Sequence, residues 1–218
     1  MDGRFTDYRN YNCNVIGENT SAALSKGLTE LMGHFKTQNG MYPQNIIVYR
    51  DGLSEGQFDT FGSQEIQALL SVGKDLAAEI KLVFVSCIKR HSVRFFSQDQ
   101  RITSRNGNLN NGLVVDKEIT GKHFEFFLQA HNGLQGVAIP VKYVVLRDDM
   151  QLSADDLQQF TFNLCYNFQR SAAPTSIPNV VKMADLYAAR IFHYNSVADK
   201  QEMEKNEQKE LVKRSYYL

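Results

Sequence analysis

Residues 43–58 read PQNIIVYRDGLSEGQF, a short apolar run, NIIVYR (45–50), that stops at Asp51-Gly52. A run of this length closed by a turn-forming pair predicts a buried strand leading into a loop. The segments on either side change period. Upstream, residues 20–37 place Leu24, Leu28, Leu31 and Phe35 about four apart, which predicts an amphipathic helix. Downstream, GSQEIQALLSVGKDLAAEI (62–80) returns to helical spacing through Ile66, Leu69, Leu70 and Leu76, and KLVFVSCI (81–88) is again a strand.

Three further extended segments follow at GLVVDKEI (112–119), HFEFFLQAH (123–131) and VKYVVLRDD (141–149). RITSRNGNLNNG (101–112), rich in Asn and Gly, reads as an exposed loop. Ser153 with Asp156 three residues later opens a helix in the manner of a capping box, with Leu157, Phe160, Thr161, Leu164 and Phe168 on one face. A last helix begins near Pro178, where a missing amide does no harm. ADKQEMEKNEQKELVKR continues as a charged helix or tail over 199–218, ending in Tyr216, Tyr217 and Leu218. This mixture predicts an α/β fold, a central mixed sheet flanked by helices, in one domain over 1–218.

Composition excludes some classes and leaves others open. Of 218 residues 43% are hydrophobic and 22% charged, and no run of about 18 apolar residues offers a membrane span. The opening MDGRFTDYRN is polar and has no signal-peptide character, and Cys87 and Cys165 sit in apolar runs that favour buried thiols. With Cys13 they total three scattered cysteines, which excludes a cysteine-based zinc module and points to an intracellular protein, cytoplasmic or nuclear. Lys and Arg (24) balance Asp and Glu (24), which speaks against a generally basic nucleic-acid binder but not against a local basic groove.

Tyr-Arg-Asp-Gly followed by Ser-Glu-Gly-Gln-Phe resembles the signature of the Argonaute/Piwi family. CIKRHSVRFF (87–96), GLVVDKEIT (112–120), FEFFLQAHNGLQG (124–136), VKYVVLRDD (141–149) and LQQFTFNLCYNFQRSAAPTSIP (157–178) resemble later family segments in the same order. The resemblance covers about residues 10–195 and implies the C-terminal part of an RNase H-like Piwi domain, with its first strands not in this chain. In that fold acidic residues hold two divalent ions, Mg2+ or Mn2+, for cleavage of RNA.

By this resemblance Asp51 and Asp185 are metal ligands and catalytic residues, and Glu18 aligns with a mobile glutamate ligand, Asn19 being an equal choice. Read without the family, Asp51 is a turn former and Asp185 favours its helix dipole. Lys89, Arg94, His131, Arg170, Ser176 and Arg190 match contacts to guide RNA, with Arg190 at the 5′ phosphate. Arg190 stands five residues after Asp185, about 140° around a helix, so the two side chains diverge. For a single Lys or Arg a solvated surface charge is the ordinary reading, but KRHSVR directly after a buried strand aims charge at a strand-end rim.

The pattern departs from the family in several places. The first catalytic Asp, carried on an upstream strand, has no counterpart, and Asp2 and Asp7 are poor substitutes. Lys182 and Phe168 stand where the family has Tyr, and Asn179-Val180-Val181 replaces a Pro-rich approach. Three readings follow: a binding module for guide and target RNA in small-RNA silencing without cleavage; a divalent-metal RNA endonuclease completed in trans; and a surface for silencing-complex proteins that binds no RNA.

Overall fold

The computed structural model describes residues 20–104, 106–133 and 136–197; the side chains of Thr20, Tyr187 and 190–197 are outside that description. In chain order the elements are α1 (Thr20–Asn39), β1 (Asn45–Asp51), α2 (Ser63–Asp75), β2 (Lys81–Ile88), β3 (Leu113–Val115), β4 (Phe124–Gln129), β5 (Val141–Asp148), α3 (Ala154–Tyr166) and α4 (Asn179–Val197). The five strands form one mixed sheet in the order β1-β2-β5-β4-β3. β1 and β2 run parallel, and the other neighbours are antiparallel. The mixed α/β architecture read from the sequence is the one observed.

The central strands are apolar on both faces because helices cover both. Alternation divides β2 cleanly. Leu82 and Phe84 join Leu28 and Met32 of α1 and Ile66, Leu69 and Val72 of α2 in one buried cluster. Val83, Val85 and Cys87 join Tyr49, Tyr143 and Phe126 with Leu157 and Cys165 of α3, Ile177, and Val181 of α4 in another. β1 follows the same rule, with Ile46 and Val48 on the α1/α2 side and Ile47 and Tyr49 on the α3/α4 side. A buried hydrogen bond of 2.7 Å between the Tyr49 hydroxyl and Thr161 ties β1 to α3.

Two glycines matter to this frame. Gly52 has φ +86°, which turns the chain sharply off the end of β1. At Gly73 a Cβ would lie 2.8 Å from Ile80 Cγ1, so glycine allows α2 to close onto the segment entering β2. Ser153 caps α3 as expected, its hydroxyl accepting the Asp156 amide at 3.1 Å.

The structure also corrects the sequence expectations. Met32, not Leu31 or Phe35, joins Leu28 as the buried line of α1. Phe160, assigned to the inner face of α3, is exposed. Only Leu113–Val115 of the 112–119 segment pairs as a strand, and Glu118 has φ +68°, outside extended geometry. The 101–112 segment is not simply exposed. Asn108 and Leu109 are buried, because the Asn108 side chain accepts the Ala138 amide at 2.8 Å and donates to Gly136 O at 2.9 Å. Among the described residues no helix is long and apolar enough to cross a membrane.

Candidate nucleic-acid interface

The alternation that sorts the core also sorts charge at the carboxyl end of β1. Arg50 continues the Ile46–Val48 face and Asp51 the Ile47–Tyr49 face. Arg50 therefore meets α2, where Nε and Nη2 donate to Glu65 Oε2 and Oε1 at 2.9 and 3.0 Å. Its remaining Nη1 donates to the Asp51 carbonyl. This forked pair fixes the backbone on which the Asp51 carboxylate is mounted.

Asp51 is in register with Cys87 across β1 and β2, and Lys89 stands two residues beyond Cys87 on the same face. Asp185 follows Val181 by one helical turn on α4, which packs against that face. The three side chains converge. Lys89 Nζ lies 2.5 Å from Asp51 Oδ2 and 3.2 Å from Asp185 Oδ2. Burial works against the Lys89 ammonium, yet the hydrogen bond and charge of Asp51, then those of Asp185, raise its pKa above the ordinary lysine value. Beneath them the Cys87 thiol is pushed well up, by burial first and then by the Asp51 charge.

Two carboxylates reached from separate elements are chemically suited to a hard divalent ion. As arranged, however, they do not fit one. Each turns Oδ2 to the ammonium, which would have to be displaced before a metal could use both oxygens. Glu18 lies outside the described residues.

The remaining sequence-assigned positions lie on the segments after β2 and β4, on the α3–α4 connection and on α4. The Arg94 guanidinium folds back, Nη1 donating to the carbonyls of Val93 at 2.7 Å and His91 at 3.1 Å. His131 is half-buried, its Nδ1 has no hydrogen-bond partner among the described residues, and burial lowers its pKa, which favours the neutral imidazole. Arg170 is exposed and Ser176 half-buried on the connection from α3 to α4, which Thr175 pins by donating to Cys165 O at 3.0 Å. Arg190 belongs to the backbone of α4, and its side chain lies outside the described ones.

Sequence reasoning missed two arrangements. One is Arg50–Glu65, for which the signal was the parity of Arg50 with the α2 side of β1. The other is Lys142, whose Nζ lies 2.6 Å from Glu55 Oε1 and 3.1 Å from the buried Glu125 Oε2. It ties the turn after Gly52 to the sheet.

A family model described as the Piwi domain matches residues 3–197. The chain belongs to the Argonaute/Piwi family. It is 40% identical over 173 residues to protein argonaute 1A of Oryza sativa subsp. japonica, a match covering 77% of this chain and 16% of that protein. The C-terminal lobe of a budding yeast Argonaute superposes with a TM-score of 0.72 at 29% identity, over 77% of this chain and 36% of that one. Kluyveromyces polysporus Argonaute with a guide RNA gives 0.69 at 30% identity, over 79% of this chain and 22% of that one. The Piwi chain described here thus spans a minor share of its relatives' length.

Proposed function

We propose that this Piwi chain contributes a guide-RNA and target-RNA binding surface to small-RNA-mediated silencing and does not by itself cut RNA. The observation that carries the reading is the likeness in fold and sequence to an Argonaute solved with a guide RNA. The absence of cutting is supported by the Lys89 ammonium between Asp51 and Asp185. Arg94, Arg170 and Arg190 supply the cations of the track, reading phosphate and shape but not base sequence. His131 and Ser176 add polar contacts.

The test is binding of the 218-residue chain to a short single-stranded RNA, with and without a 5′ phosphate, at two salt concentrations. Three phosphate contacts predict that a fourfold rise in salt weakens binding about twentyfold, at a single-strand slope of about −0.7 per contact. Arg190→Ala is expected to remove the preference for the 5′ phosphate. A folded chain that binds no RNA overturns the reading in favour of a surface for silencing-complex proteins. Magnesium-dependent cleavage that disappears in Asp51→Ala overturns it in favour of an endonuclease.

A further inference from the structure

We propose that Lys89 is a built-in counter-ion that holds divalent cations off the Asp51–Asp185 pair, so that the pair takes Mg2+ or Mn2+ only when the ammonium is withdrawn. The pair and its counter-ion are assembled from three places: the end of β1, the residue just beyond β2, and one turn of α4. Strand register delivers Lys89 to it, since Cys87 faces Asp51 and Lys89 repeats the parity of Cys87. The ammonium touches one oxygen of each carboxylate, at 2.5 and 3.2 Å.

Charge and geometry make the two cations mutually exclusive. Two carboxylates and one ammonium sum to −1, whereas the carboxylates alone offer −2. A magnesium ion requires its oxygens at about 2.0–2.1 Å and keeps several waters around itself, for which an ammonium already at hydrogen-bond distance leaves no room. Two other cations near these strand ends are engaged elsewhere. Arg50 is spent on Glu65 across the sheet, and Arg94 turns to its own backbone. Lys89 is itself part-exposed, so withdrawing it needs only a side-chain rotation into water.

The inference goes beyond RNA binding and does not depend on it. Manganese titration of the purified full chain, read by electron paramagnetic resonance without RNA, tests it directly. Lys89→Met, which keeps length and removes charge, is expected to bind Mn2+ at least about tenfold more tightly than the unaltered chain, because no ammonium must be displaced. The gain should vanish in Lys89→Met/Asp51→Asn. No gain in a folded Lys89→Met, or a gain that survives Asp51→Asn, overturns the proposal. Should Lys89→Met fail to fold, the unaltered chain decides. Selective broadening of the Gly52 and Arg90 amide signals at substoichiometric Mn2+ overturns the proposal, and its absence until Mn2+ is in large excess supports it. Loss of RNA binding leaves either result unchanged, so the two readings fail separately.

Discussion

Arg50 and Asp51 are chain neighbours, yet they anchor two ion-pair clusters of opposite character on opposite faces of the sheet. Arg50 meets Glu65 through two hydrogen bonds, and Glu65 is 3% exposed. Asp51 meets Lys89 through one contact shared with Asp185, and the three side chains are 24%, 39% and 43% exposed. The first cluster is forked, balanced in charge and dry only on its carboxylate side, since the Arg50 side chain is 33% exposed. The second is wet, single-pronged and has one more acid than base. A forked pair on a buried carboxylate cannot exchange partners without leaving that carboxylate stranded in the core, whereas a pair of part-exposed groups can. One therefore holds the scaffold, and the other is free to trade its cation.

The sharpest way to break this comparison is Arg50→Met. It strands Glu65 without its partner, and the unfolding free energy should fall by about 3 kcal/mol in a urea titration. A loss within about 0.5 kcal/mol would make the two clusters alike. Lys89→Met should change stability by less than about 1 kcal/mol in the same measurement, since water screens what it leaves behind.

The smallest effect is on pH. Burial lowers the pKa of His131, and also that of His91, where the Pro140 carbonyl works the other way and Arg94 and Lys142 add to the lowering. Groups whose folded pKa is depressed lend stability that is fully present above their unfolded value of about 6.5. That stability is lost as pH falls from there through the folded value. The melting temperature should therefore decline as the buffer is taken below about pH 6.5, and the decline should be shallower in His131→Gln.

How much of this was legible follows from what each segment states locally. β2 reads correctly at both ends, because KLVFVSCI is buried on both faces and apolar throughout. β3 was read too long, because Asp116, Lys117 and Glu118 carry no local mark of where pairing stops. Asp51 and Asp185 were singled out, and the structure brings them together on one cation. What stayed hidden was the identity of that cation. The family resemblance places Lys89 among the RNA contacts, and the pairing of Asp51 with Cys87 shows in addition that it shares their face. Register is a relation between strands that neither strand records alone. The burial of Asn108 was hidden similarly, since its partners at 136 and 138 lie across a loop.

The alternation of Arg50 and Asp51 has one more consequence, for assembly. Ile46, Ile47 and Val48 are all apolar, so their burial distinguishes weakly between β1 in its observed alignment and β1 slid by one residue, which would turn each side chain to the other face and cost Tyr49 its bond to Thr161. The charges distinguish strongly. After such a slip Arg50 would face Lys89 while Asp51 faced Glu65, like against like at both ends of the strand's exit. The observed alignment satisfies both pairs at once. Two adjacent charges thus act as a key that fits one way round.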